Sequence, residues 1–350
     1  MSARLVRALA LTSLVVAPLS AQTEQRAVKG ANVAIYNLAG RMRAVAGTGD
    51  AVIVEFTRGG ADAAKLKIET GPLRGRETFR IVYPADQIVY PERDSRSRTS
   101  IDVRDDGTFS DGGSDDFRDR NRVEIRSYGP GLEAFADLVV RVPRGQKIEL
   151  FLAVGRAEIS NVEGDVLLDV GAAEVDVSGM KGFLTLDTGS GRVAVRDVTG
   201  DLNIDTGSGG LSVDRVKGNV LRIDSGSGGV QGNDIEVREF NADVGSGGLR
   251  VYRMKAARVR AETGSGGITL ELLSDIERMD VETGSGGATI RLPATLSAEI
   301  EAETGSGGFT TDFEIVTRRV SRNHIAGRIG DGRARIQIEA GSGSVRLMKN

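Results

Sequence analysis

The sequence contains no cysteine, no tryptophan and one histidine, and aromatic residues make up 4% of it. Without Cys there are no disulfides, no thiolate metal sites, no Cys nucleophile and no lipid-modified cysteine anchor. With His324 as the sole imidazole, catalytic triads and His-rich metal centres are also excluded. The scarcity of aromatics argues against a sugar-processing cleft, where rings usually stack on sugars. Charge of neither sign dominates: 46 basic against 49 acidic residues leave a net charge of −3, which does not favour nucleic-acid binding.

Glycine is abundant, with 47 residues, and it does not recur at every third position as in collagen. It recurs at a longer period. Gly-Ser-Gly begins at Gly189, Gly207, Gly226, Gly245, Gly264, Gly284 and Gly305, with steps of 18, 19, 19, 19, 20 and 21 residues. Gly341 follows after 36 residues, and Gly171 and Gly155 read as two degenerate earlier copies. A fixed period of this length marks stacked supersecondary units.

Within one unit, residues 202–206 and 211–214 alternate apolar and polar, which is the period of a half-buried strand. The glycines between them serve positive φ or close backbone approach, and residues 216–220 form a second corner. Leu202, Ile204, Leu211, Val213, Val220 and Ile223 are expected to point inward. So short a unit has no room for a helix beside two strands, which removes doubly wound α/β folds. An antiparallel meander would make identical units alternate faces, so the reading is an all-β, parallel β-solenoid with about 18–21 residues per rung.

The expected organisation has four parts. Residues 1–21 read as a signal peptide, with Arg4 and Arg7 ahead of an apolar stretch at 8–17 and small Ala21 at the cleavage point. The apolar stretch is too short to span a bilayer. Residues 22–91 read as divergent N-terminal rungs, with 37–42 as a second corner and Gly47-Thr48-Gly49 as a turn. Residues 92–126 mix Arg and Asp densely and read as a charged flexible loop. Residues 127–350 form the solenoid proper, with a cap excursion at 317–333 before the final strands.

The leader, the divergent opening rung, the Thr-Gly-Ser-Gly-Gly repeats and the closing residues 336–347 together resemble a bacterial adhesin-like family. Its members are exported β-strand-repeat proteins built on a domain of unknown function. The resemblance implies the fold, and it brings no catalytic residues with it.

One chemical feature repeats. Two residues before each turn glycine stand Asp169, Asp187, Asp205, Asp224, Asp243, Glu262, Glu282, Glu303 and Glu339. Alternation places them outside the coil in one row, where like charges about 5 Å apart repel. The row is read either as a calcium-type cation site or, more plainly, as a solvated face. The arginines available to it (Arg192, Arg222, Arg250, Arg260, Arg291) are irregularly placed, so complete pairing is not expected. A second acidic group, Asp102, Asp105, Asp106, Asp111, Asp115, Asp116 and Asp119, lacks the spacing of an EF-hand.

The Gly-Ser-Gly-Gly turns are not phosphate loops, because no copy continues with Lys and a helix. Leu292-Pro293-Ala294-Thr295-Leu296 lacks the Gly of a sorting signal and reads as a corner. No catalytic, cofactor or metal residue is therefore assigned, and no cofactor is expected. The expectation is a non-catalytic exported protein of the periplasm or outer cell surface, adhesin-like or scaffold-like, with a protein or glycan partner. It binds no nucleic acid and has no transmembrane segment in the mature chain. The competing readings are a carbohydrate-active β-helix enzyme and a calcium-binding surface protein.

Overall fold

Strand Leu202–Ser208 buries Leu202, Ile204 and Thr206 and turns Asn203 and Asp205 outward, and strand Leu211–Lys217 repeats the pattern with Leu211, Val213 and Val216. The next rung lies parallel and in register, with Leu202 beside Leu221, Ile204 beside Ile223, Leu211 beside Val230 and Val216 beside Ile235. One interior column thus runs Leu184, Leu202, Leu221, Phe240, Val259 and Met279. Each such side chain contributes roughly 1.5–3 kcal/mol through burial. The fold is a parallel β-solenoid, seen in a computed structural model that describes residues 23–92, 98–110 and 120–350. The expected signal peptide lies outside the described residues. One position differs from the expected inward set. Val220 faces outward beside Glu239, and Leu221 points inward in its place, because the strand already begins at Val220 and alternation from there buries Leu221 and Ile223.

The glycines answer to stacking more than to turning. A Cβ on Gly207 would lie 2.6 Å from the carbonyl oxygen of Gly189, and one on Gly228 would lie 1.5 Å from that of Gly209. Along the turn column, Gly40, Gly155, Gly191 and Gly209 combine this approach with left-handed φ, +129°, +140°, +127° and +115°. The turns also bond directly rung to rung, with Gly226 N donating to Thr206 O at 2.8 Å and Gly245 N to Ser225 O at 2.8 Å. At four turns, those after Ser225, Thr263, Thr283 and Thr304, the residue before the first glycine closes the turn from inside. The Thr263 hydroxyl donates to Gly266 O at 2.6 Å, Thr304 to Gly307 O at 2.7 Å and Ser225 to Gly228 O at 3.2 Å.

The second corner bends through a left-handed residue at Asn161, Gly179, Asp197, Arg215, Asp234 and Arg253, one per rung. These sit one or two residues ahead of the corner read from sequence.

The N-terminal region departs from the expected alignment. Strand Asn32–Ala46 pairs parallel with Gln146–Ser160, and the pairing sets Gly40 beside Gly155. Gly40 is therefore the turn position of this rung, in place of Gly47, and 37–42 is the turn region, not a second corner. Gly155 in turn pairs with Ala173, so Ala153 occupies the column of Gly171. A second sheet of four strands packs here: Gln87–Val89, Arg98–Arg104, Arg120–Arg126 and Leu132–Glu133.

That sheet corrects the reading of 92–126 as a flexible loop, as far as those residues are described. Arg98–Arg104 and Arg120–Arg126 pair antiparallel, and Val103, Phe109, Val123 and Ile125 are buried. Two-residue alternation hidden among the charges supplies the apolar face that composition alone concealed. Residues 93–97 and 111–119 lie outside the described residues.

The C-terminus breaks the order of stacking. Ala334–Ala340 lies between Arg278–Thr283 and Ala298–Thr304, and Val345–Lys349 between Ala288–Leu292 and Phe309–Thr311. The last strands in sequence therefore form an inserted rung, not the end of the stack. The end is a hairpin of Val316–Val320 and His324–Ile329, laid antiparallel on Ala298–Thr304. A register irregularity and Arg318 and Arg319 mark its outer strand, features that discourage edge-to-edge pairing. No helix among the described residues is long and apolar enough to cross a membrane.

Candidate functional site

All nine acids fall in one register column. Asp169 pairs with Asp187, and the row continues through Asp205, Asp224, Asp243, Glu262 and Glu282. Glu339 comes next and Glu303 last, the reverse of their order in sequence, because of the inserted rung. The row has defined ends. On one side Asp169 lies beside Phe151, whose ring stacks on Tyr36 at 4.5 Å under the cover of Phe109. On the other side Glu303 lies beside His324, whose Nε2 is 3.4 Å from Glu301 Oε1.

Neighbouring carboxylates one rung apart, about 4.8 Å, carry a repulsion of order 1 kcal/mol in water. Enclosure first, and this repulsion second, show in the proton affinities of three members. Asp187 is held above the usual carboxylate range by the rungs that partly enclose it. Asp205 is raised by enclosure and then by Asp187, and Asp243 by enclosure, then Asp224 and Glu262, with Arg260 opposing. Of the five arginines considered from sequence, Arg260 reaches the row, bonding Glu262. Arg250 and Arg291 stand on the other strand of the rung. Among the described residues no group of three or more His, Asp or Glu side chains could hold a metal ion.

The adjoining corner is balanced differently. Asp197, Arg215, Asp234 and Arg253 alternate in sign up the stack. The Arg215 guanidinium grips Asp197 at 2.6 and 2.9 Å, and Arg253 grips Asp234 at 2.7 and 2.6 Å. Each arginine holds its aspartate below the ordinary carboxylate range. Lys217, Glu236 and Lys255 alternate beside them, at 3.8 and 3.5 Å. These ladders were missed in sequence, although a charge that flips sign every 18–19 residues is a visible signal. The chain thus pairs charge along one column and leaves another almost wholly acidic.

A shallow groove opens where the four-stranded sheet meets the glycine turns, lined by Arg41, Tyr90, Glu92, Arg156 and Glu174. Its polar groups already serve one another. Arg41 pairs with Glu92 at 2.9 Å, and Arg156 with Glu158 at 2.9 Å and Asp176 at 2.7 Å. Burial lifts the Tyr90 phenol above its ordinary range. Asp137 beside it is raised by burial, despite accepting Arg41 N at 2.8 Å. In the second acidic group, Asp105 accepts from Asn121 at 2.7 Å and Asp106 from Thr108 at 2.7 Å. Its members Asp111, Asp115, Asp116 and Asp119 lie outside the described residues. Pro293 and Leu296 close a turn, with Leu296 N donating to Pro293 O at 3.0 Å.

No curated protein matches the chain. Among solved structures, a crystal structure of a "putative cell adhesion protein" from Clostridium sporogenes aligns over 94% of this chain and 99% of its own. Its sequence identity is 13% and the TM-score 0.20. The model of the Toastrack DUF4097 family matches residues 118–348, which spans the whole regular array and its inserted rung. This chain belongs to the Toastrack DUF4097 family.

Proposed function

We propose that this protein is a non-catalytic binding or scaffold protein of the cell envelope, adhesin-like, exported by the leader at residues 1–21 and placed in the periplasm or on the outer surface. The observation that carries this reading is the repetition of its surface chemistry. One outward column, the nine-membered acid row, presents the same kind of group at every rung. A hydrolase concentrates one unlike pair of carboxylates in a cleft, with one of the two made a proton donor by its surroundings. Here neighbouring carboxylates stand at similar separations along an open face, and no single pair is set apart. Extended repeating faces suit a long partner gripped at many weak points.

Purified mature protein applied to a glycan array, to candidate envelope proteins and to a panel of polysaccharides tests the reading. Saturable binding with no change in polysaccharide chain length supports it. Turnover of any polysaccharide overturns it in favour of a carbohydrate-active enzyme.

A further inference from the structure

The strand face on the other side of each rung from the acid row carries different chemistry. Its outward column runs Ala194, Ser212, Gln231, Arg250, Thr269 and Thr289. Arg346 comes next and Thr310 after it. Below Ala194 the column carries Asp176 and Glu158, and from Ala194 to Thr310 it carries no carboxylate. Two arginines therefore bracket two threonines, one per rung, with about 14 Å between the bracketing positions at the ordinary strand spacing.

The bracket encloses an open hollow lined by Arg250, Thr269, Thr289, Ser344 and Arg346. Gly267 and Gly287 line it as well, leaving room where other residues would carry side chains. Arg250 and Arg346 are exposed, and neither has an ion pair among the described residues. This differs from Arg215 and Arg253, each held in a fork by an aspartate. Glu271, the nearest acid along the strand, accepts from Arg253 N at 3.3 Å. Tyr252 follows Arg250 on the same face and is half-buried, two residues along the strand and outside the lining of the hollow.

The inserted rung builds the bracket. Arg346 belongs to Val345–Lys349, which lies between the rungs of Thr289 and Thr310. Stacked in sequence order, the column would read Arg250, Thr269, Thr289, Thr310, Arg346, and the arginines would move one rung further apart.

We infer that Arg250, Thr269, Thr289, Ser344 and Arg346 form a binding site for the carboxylate or sulfate groups of an acidic polysaccharide. A guanidinium presents paired N–H donors that match an oxyanion. The hydroxyls between the two arginines suit the neutral hydroxyls of a sugar chain. A nucleic acid fits less well, because its dense phosphates call for a continuous basic stripe. The site deepens the binding-protein reading above and rests on it for the partner's class.

The test uses the full mature chain at low salt, titrated calorimetrically with an oligogalacturonate. Inorganic sulfate, a neutral oligosaccharide and a single-stranded oligonucleotide are the comparison probes. Arg250→Gln and Arg346→Gln are each expected to weaken oligogalacturonate binding at least tenfold with an unchanged melting temperature. Arg222→Gln, on the acid face, is expected to leave it unchanged. Double replacement Thr269→Val/Thr289→Val is expected to weaken the oligogalacturonate and spare sulfate.

No binding of oligogalacturonate by the wild-type chain overturns the inference, as does binding that both arginine variants retain. Sulfate binding as tightly as the oligomer reassigns the hollow to a free ion, and tighter binding of the oligonucleotide reassigns it to nucleic acid. Both overturn the polysaccharide assignment. Glycan binding that survives all these variants sinks this site alone and leaves the broader binding function standing.

Discussion

Gly228 lies so close to Gly209 of the preceding rung that a Cβ on Gly228 would sit 1.5 Å from the Gly209 carbonyl oxygen. That contact is backbone against backbone, so no side chain can swing aside. Gly228→Ala is expected to destabilise the protein by about 1–3 kcal/mol or more, as overpacking does. Gly210 is the internal control, since nothing lies within 4 Å of its Cβ position and its φ is not left-handed. Gly210→Ala should be neutral or stabilise by about 0.4–1 kcal/mol through the unfolded state. Chemical denaturation of both variants measures the contrast.

The acid row carries a pH signature. Asp187, Asp205 and Asp243 bind protons more tightly in the folded chain than at the ordinary value of 3.8. Between 3.8 and their raised values the folded state holds more protons than the unfolded one. Their contribution to stability therefore improves as pH falls through that window and is unfavourable above it. The triple replacement of these three by Asn should melt higher than wild type at pH 7, with the advantage shrinking as pH drops through the window. Asp197 and Asp234 act in the opposite sense. Their support is present above 3.8 and is lost as pH falls through their depressed values.

Salt should act on the same row. Raising ionic strength from about 0.01 M to 0.15 M shortens the screening length from about 30 Å to about 8 Å. Wild type should gain more thermal stability from this than the triple Asn variant does. Calcium, matched for ionic strength, is expected to add no more than sodium, because the carboxylates line up and do not converge. A calcium shift well beyond the sodium shift, absent from the variant, would instead establish a cation row.

The inserted rung should matter to the whole stack. Ile338 is fully buried in the strand between Arg278–Thr283 and Ala298–Thr304. Ile338→Ala is expected to cost about 2–5 kcal/mol. Val320→Ser, on the exposed outer strand of the terminal hairpin, should stay within about 0.5 kcal/mol. A similar loss for both variants would mean that the rung packs no better than the hairpin.

The period, the parallel stacking and the acid column were legible because each depends on residues one rung apart, and the spacing of Gly189 to Gly305 displays that separation directly. What escaped depends on contacts that period does not encode. Val220 and Leu221 are both apolar, so the frame of that strand is set by its entry from the corner. Ile101 pairs with Val123 across the charged segment, with Val103 and Ile125 two residues along on their strands, and the density of Arg and Asp masks this alternation. Glu303 and Glu339 would fall in the same column in either stacking order, so sequence alone could not reveal which lies outside. Arg346 was unremarkable for the same reason, its neighbour Thr289 being set by topology.

The insertion of residues 334–349 between rungs already laid down by residues 278–311 also bears on how the molecule is assembled. A simple solenoid can grow behind its own emerging end, each coil templated by the one before it. Here a place inside the stack is filled by residues 334–349, which follow in the chain the strands on both sides of them. The last rungs cannot close in order of emergence. They must wait, or part, until residues 334–349 are available to enter, so this part of the stack closes out of chain order.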